Sequence, residues 1–138
     1  MTIEANKAVV REFTRVFKNE HNVDGVDHLF APDFEHHFTA PLSPGLDGLK
    51  QVGRTMNTAF PDVVVTEQDL IATDDTVVER SAAKAMNAGP YQDRPPTNRL
   101  CHWSEIHIYR FRGGKIVAYW AEVDLLGLLT QIGAVTPA

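Results

Sequence analysis

An α+β domain is predicted, with helices in the first half of the chain packed on a curved antiparallel sheet formed by the second. Three observations lead there. Apolar residues recur with a helical period as far as Pro61, β-branched residues dominate beyond it, and the turn signals Asp74-Asp75 and Gly113-Gly114 split the remainder into hairpins. Runs of helices followed by runs of strands put the helices on one face of the sheet. A long, bent sheet covered on one face can leave a cavity, here expected to be apolar and to hold a small aromatic molecule. Residues 1–138 are expected to form this one domain, without internal repeat, linker or low-complexity tract.

The first helix follows from Val9, Val10, Phe13, Val16 and Phe17, which lie at helical spacing between Thr2 and Asn19, with Thr2 as N-cap and Glu4 in the first turn. Val26, Leu29 and Phe30 give a second, short helix. It stops at Ala31-Pro32, since the residue before a proline is pushed out of the α region. Ser43-Pro44 has the form of an N-cap followed by proline at the first helical position, and Leu49, Val52, Met56, Ala59 and Phe60 repeat helically up to Pro61, a third helix. Val63 to Thr66 and Ile71 to Val78 make the first hairpin around Asp74-Asp75. A loop containing Gly89, Pro90, Pro95 and Pro96 leads to the second, Leu100 to Phe111 and Lys115 to Val123, whose glycines supply the positive φ angles of a primed turn. Asp124 caps a last apolar helix, Leu125 to Ile132, which Gly133 ends.

With 138 residues, 43% of them hydrophobic, the chain is long enough to bury about two-thirds of its unfolded surface. Neither metals nor disulfides are then needed to hold it. The single cysteine, Cys101, has no internal partner, and no charged segment followed by an apolar one opens the chain, so the expected compartment is a reducing cytoplasm. A net charge of −5 with scattered lysines and arginines gives no basic stripe for phosphates, which excludes nucleic acid as the expected partner. No apolar run approaches the roughly 18 to 20 residues of a membrane span. The protein is expected to be soluble, with no membrane partner.

Chemistry concentrates on the strand around residue 105. Side chains two apart point the same way, so Cys101, Trp103, Glu105, His107 and Tyr109 share a face. A carboxylate and an imidazole at that spacing are about 7 Å apart at the backbone, and a ligand or water can bridge them. In an apolar pocket desolvation raises the carboxyl pKa while the imidazole opposes it, and such a pair moves protons near neutral pH. The same alternation also fits a polar ladder on a solvated or subunit-facing surface. On the next strand Val117, Tyr119, Ala121 and Val123 share one face, and Trp120 and Glu122 take the other. Trp120 there suggests a subunit contact, because exposed large aromatics tend to be covered.

His36 and His37 follow an extended Asp33-Phe34-Glu35, and one of the two is expected to face inward. Glu35, His36 and His37 cannot all converge on one ion from an extended segment, so no metal site is expected. Cys101 reads as a packing thiol and Asp124 as a cap. Nucleotide-binding glycine motifs, a G-x-S-x-G elbow and H-E-x-x-H are all missing.

Across Asn6 to about Gly133 the chain resembles the SnoaL-like polyketide cyclases, a branch of the nuclear-transport-factor-like α+β barrels. The resemblance is carried by NKAVVREFTRVF, LFAPDFEHH, the Gly45 to Gln51 stretch, AFPDVVVTEQDLIATDDTVV, the PPT at Pro95 to Thr97, EIHIYRFRGGKIVAYW and VDLLGLL. It implies a conical barrel with an apolar pocket, dimers or larger homo-oligomers, and no cofactor. It further implies an intramolecular aldol reaction in which an acid/base residue removes an acidic proton. The family's pocket histidine falls on His107, and the histidine of its LFAPDF-x-x-H stretch on His37. Where the family often reads E-H-W-D this chain has Ala118-Tyr119-Trp120-Ala121, so Ala121 stands in place of the usual aspartate. MNAGPYQDR likewise replaces a common G-x-F-x-G-I segment before PPT.

Three readings of that departure remain open: Glu105 has taken over the acid/base role, the pocket performs another reaction such as polyketide-ring hydroxylation, or it binds an apolar ligand without chemistry. The reading adopted is an enzyme acting on an apolar, aromatic polyketide-like compound by aldol cyclisation or isomerisation. His107 and Glu105 form the proton-transfer pair, His37 and Tyr119 orient or polarise a carbonyl, and Phe17, Trp103, Tyr91 and Ala121 bind substrate.

Overall fold

The computed structural model describes residues 2–136. Helix α1 (Ile3–Phe13) starts where expected, with the Thr2 hydroxyl accepting from Ala5 N at 3.0 Å. It does not continue as an α-helix. Thr14–Asn19 widen into a π-helical turn. Asn19 holds that turn against the sheet: its side-chain amide accepts from Val65 N (2.7 Å) and donates to Val65 O (3.0 Å). Wide turns of this kind re-aim side chains and recur at functional sites.

The second helix is corrected to a single 3-10 turn, Asp27–Leu29. Phe30 already belongs to strand β1 (Phe30–His36), which runs parallel to the last strand, β5 (Lys115–Val123), with Phe30 opposite Ile116 and His36 opposite Tyr119. Pro32 is tolerated because β1 is an edge strand. With β2 (Val64–Ala72), β3 (Thr76–Met86) and β4 (Leu100–Arg112) the sheet is therefore mixed: its order is β1-β5-β4-β3-β2, and only the β1–β5 pairing departs from the expected antiparallel arrangement. Helix α2 (Leu46–Ala59) begins after Gly45, at φ 68°, not at Ser43. Ser43 anchors the preceding loop instead, its N–H donating to Gln51 Oε1 and its carbonyl accepting from His36 Nε2.

Strands β2 (Val64–Ala72), β3 (Thr76–Met86), β4 (Leu100–Arg112) and β5 (Lys115–Val123) form the two hairpins, with Gly113 and Gly114 at φ 58° and 80°. Helix α3 (Leu125–Gln131) is capped by Asp124, which accepts from Gly127 N at 2.9 Å. One phase error is corrected on β5. The register slips between Arg110 and Phe111, leaving Val117 as an extra residue, so Ile116 rather than Val117 is the buried companion of Tyr119.

Apolar side chains collect in two groups on the helix-covered face. One surrounds Phe13, which stacks on Phe17 at 4.7 Å and meets Phe30, Tyr109 and Tyr119 edge-on. The other joins Phe60, Trp103 and Leu128. Between the two groups the core does not close. A cavity of about 530 Å³ remains, bordered by Phe17 and Leu49 from the first group and Trp103 and Leu128 from the second.

Candidate active site

Strand β4 builds one wall of this cavity, because its alternation is unbroken: Cys101, Trp103, Glu105, His107, Tyr109 and Phe111 are buried and their neighbours are not. The solvated-ladder reading of Glu105 and His107 is thereby corrected. Trp103 Nε1 donates to Glu105 Oε2 at 2.7 Å, Glu105 Oε1 lies 2.7 Å from His107 Nε2, and His107 Nδ1 lies 2.6 Å from the Tyr119 hydroxyl. A hydrogen-bonded chain of four side chains thus runs along the wall. All four border the cavity.

A cation completes the group. Lys18, delivered by the π-helical turn, places Nζ 2.9 Å from His107 Nε2, 3.6 Å from Glu105 Oε1 and 3.8 Å from Glu79 Oε1. Glu79 is the cross-strand neighbour of His107, fully buried, and accepts from the Thr14 hydroxyl at 3.0 Å. Sequence reasoning passed over Lys18, Glu79 and Thr14. A signal existed: Val77, Glu79, Ser81, Ala83 and Ala85 alternate, and Val77 and the alanines mark the inward phase that Glu79 shares.

The electrostatics follow from burial opposed by pairing. Burial alone would raise the Glu105 pKa, but Lys18, then His107 and Trp103, more than reverse it and hold it at about 2. Burial and Lys18 together lower His107 to about 4 against the pull of Glu105, so the imidazole is neutral at pH 7. Burial raises Glu79, with Lys18 and Thr14 opposing. Burial also lifts Tyr119 well above its ordinary value, keeping the hydroxyl a proton donor. The neutral imidazole has two compatible arrangements. With the proton on Nε2 it donates to Glu105 and accepts from Tyr119. With the proton on Nδ1 it donates to the Tyr119 oxygen and accepts from Lys18.

A second, smaller hollow of about 270 Å³ lies between α1 and β2 on the far side of Glu79. The Arg11–Glu67 pair borders it, with nitrogen and oxygen 3.1 Å apart. It holds no acid/base cluster comparable to that of the larger cavity. Among the described residues no three His, Cys, Asp or Glu side chains are grouped to hold a metal ion, and no helix is long and apolar enough to cross a membrane.

The profile of the SnoaL-like polyketide cyclases matches residues 7–132. The chain belongs to that family. Its fold is shared with AclR, a proposed hydroxylase from Streptomyces galilaeus, at TM-score 0.88 and 23% identity over 99% of this chain and 90% of that one. A proposed polyketide cyclase from Acidithiobacillus ferrooxidans superposes at 0.83 with 26% identity, over 99% and 100% of the two chains. IdmH, a proposed polyketide cyclase from Streptomyces antibioticus, superposes at 0.79 with 27% identity, over 93% and 98%. No curated protein sequence shows significant similarity to the chain.

Within this SnoaL-like frame the sequence-predicted residues separate cleanly. His107, Glu105, Tyr119, Phe17, Trp103, Tyr91 and Ala121 all border the cavity. His37 does not. It lies exposed on the opposite face of the sheet, its ring stacked on Trp120 at 4.4 Å and 4°, because β1 enters with Phe34 inward and carries His36 to the inner side. Its expected carbonyl-orienting role is therefore corrected. His36 is the half-buried histidine, tied to Ser43 O at 2.6 Å. Ala121 stands directly opposite His107 in the β4–β5 register, presenting a methyl group at the position where the resemblance leads to the expectation of an aspartate. Tyr91 sits at the cavity edge in a loop organised by the buried Asn87, whose amide donates to Ala59 O and Gly89 O and accepts from Thr97 N and Oγ1.

Proposed function

We propose that the protein is a cofactor-independent enzyme acting on an apolar, aromatic polyketide-like compound by acid/base chemistry, as aldol cyclisation or isomerisation. The observation that carries this reading is the continuous chain Trp103–Glu105–His107–Tyr119 on the wall of a largely apolar cavity. A cavity of about 530 Å³ lies within the roughly 300–1,000 Å³ typical of small-molecule sites. Family membership and resemblance to two proposed cyclases support the reaction class.

The roles follow from accessibility. The Glu105 side chain is 10% exposed and that of His107 3%, so the carboxylate meets the ligand and the imidazole stands behind it. Glu105 removes the acidic C–H proton. His107 orients the carboxylate and carries the proton onward. Tyr119, un-ionised, donates to the oxygen that gains charge. Ala121 leaves Glu105 as the carboxylate that reaches the cavity beside His107.

The experiment is to incubate the protein with a panel of aromatic polyketide intermediates, follow tryptophan fluorescence and analyse the mixtures by mass spectrometry. An isomeric product of unchanged mass is expected, lost in His107→Ala and Glu105→Gln. Full turnover in both folded variants overturns the assignment of the pair. A gain of one oxygen replaces the reading with ring hydroxylation, and tight binding without product replaces it with ligand carriage.

A further inference from the structure

We propose that Lys18 is a catalytic residue, an oxyanion-binding group of the cavity that acts beside Tyr119 and receives the substrate oxygen that becomes an enolate. This deepens the acid/base reading above and rests on the same cavity being the reaction site. Four observations converge on it.

First, Lys18 borders the cavity although its side chain is only 11% exposed. Second, its ammonium carries three donors, and among the described residues only His107 Nε2, at 2.9 Å, lies within hydrogen-bond distance. Glu105 and Glu79 stand off at 3.6 and 3.8 Å, close enough to share the charge but not to occupy the donors. The face of Phe13, 5.8 Å away, closes the apolar side. Third, the π-helical turn that sets Lys18 at this height is held by two hydrogen bonds between Asn19 and Val65, one donated by each. Fourth, the proton acceptor and the cation are neighbours, which fixes where charge goes during the reaction.

The step balances without a co-reactant. The C–H bond alpha to the carbonyl breaks, its electron pair forms the C=C bond, the C=O π pair moves to oxygen, and the proton goes to Glu105. One negative charge leaves the carboxylate and one appears on the substrate oxygen. Lys18 was the counter-ion of the first and becomes the counter-ion of the second, so the charge of the buried site does not change. A carboxylate held strongly acidic by Lys18 is otherwise a poor base. It becomes competent when the anion it generates takes over the same ammonium. The apolar bulk of such a substrate lies toward Leu49, Val63 and Leu128.

The test uses 4-nitrophenol as an oxyanion probe, colourless as the phenol and yellow as the phenolate, with binding read by visible absorbance across pH. The wild-type protein is expected to bind the phenolate in preference, increasing its ionised fraction by on the order of tenfold or more at a pH below the free probe's midpoint. Lys18→Met is expected to abolish that preference. Should Lys18→Met fail to fold, Lys18→Met/Glu79→Gln removes the cation together with a stranded carboxylate and carries the same expectation. Glu105→Gln loses the proton acceptor but keeps Lys18, so it is expected to retain or strengthen phenolate binding while turnover disappears. No phenolate preference in the wild-type protein, or an unchanged preference in a folded Lys18→Met variant, overturns the role of Lys18. Turnover that survives Glu105→Gln, together with a preference that Lys18→Met removes, instead overturns the acid/base pair and leaves the oxyanion site standing.

Discussion

Lys18 Nζ and His107 Nε2, 89 positions apart in the chain, meet at 2.9 Å inside the cavity. The same imidazole nitrogen is 2.7 Å from Glu105. An ammonium and a carboxylate therefore compete for one ring atom, the first requiring its lone pair and the second its proton. This competition keeps the imidazole proton divided between two arrangements, and it lowers the basicity of both His107 and Glu105 through one charge. Removing that charge is expected to raise both pKa values. NMR titration of His107 in Lys18→Met/Glu79→Gln checks it, and an unmoved midpoint contradicts the electrostatic account.

Stability should fall in acid in two stages. His107 has a folded pKa of about 4 against 6.5, so the stabilisation from keeping it neutral is present above pH 6.5 and lost as the pH falls toward 4. Glu105, about 2 against 4.5, contributes stability above pH 4.5 that is lost as the pH falls toward 2. Each shift corresponds to about 3 kcal/mol at full effect. Denaturant unfolding from pH 7.5 downward is the measurement, with Glu105→Gln expected to remove the lower stage and, because Glu105 no longer pulls the His107 pKa upward, to extend the upper stage to lower pH.

Tyr119→Phe keeps the ring that packs edge-on to Phe13 and Phe38 and removes the hydroxyl 2.6 Å from His107 Nδ1. One buried nitrogen is left without its partner, a loss of about 1–3 kcal/mol. Turnover is expected to drop on the order of a hundredfold, the lower end for a positioned proton donor. Steady-state kinetics on the product-forming substrate separates this from a stability effect, since the folded fraction can be measured independently.

Much of the fold was legible because it rests on local rules. Strand β4 alternates without error, Gly113-Gly114 makes the turn its glycines require, and Asp124 caps α3. What escaped depends on distant partners. Phe30 reads as the end of a helix, and Asp33 to Glu35 only as an extended segment, until Ile116 and Tyr119 pair with them, and nothing local in the chain announces a parallel edge strand. Lys18 carries no local mark of burial, since a lysine on an amphipathic helix usually points to water, and Glu79 is marked only by the alternation of its strand. Only the approach of the π-helical turn to β3 and β4 brings them together, and each is tolerated because the other is there. His37 was misplaced for the converse reason, because motif spacing carries no information on which side of the sheet a strand residue emerges.

His37→Ala should leave turnover unchanged. The ring is exposed and stacked on Trp120, on the far side of the sheet from the cavity. Loss of the stack is expected to cost about 1 kcal/mol or less. A clear fall in kcat in a folded His37→Ala protein would place the chemistry elsewhere than this cavity.

Ala121 gives the sharpest test of how this member departs from its family. It faces His107 across the β4–β5 ladder and borders the cavity, so Ala121→Asp places a carboxylate where the family resemblance leads to the expectation of one. In the wild-type background that substitution adds a third acid to a site in which Lys18 already serves Glu79 and Glu105. An unpaired carboxylate there raises the His107 pKa and is expected to destabilise the fold by about 2 kcal/mol or more. In Glu105→Gln the charge count is restored instead of exceeded. Ala121→Asp/Glu105→Gln is therefore expected to be more stable than Ala121→Asp alone and to recover part of the turnover that Glu105→Gln loses. If the double variant recovers stability but no activity, Glu105 is not a relocated equivalent of the family's aspartate, because a carboxylate placed against the same imidazole fails to replace it.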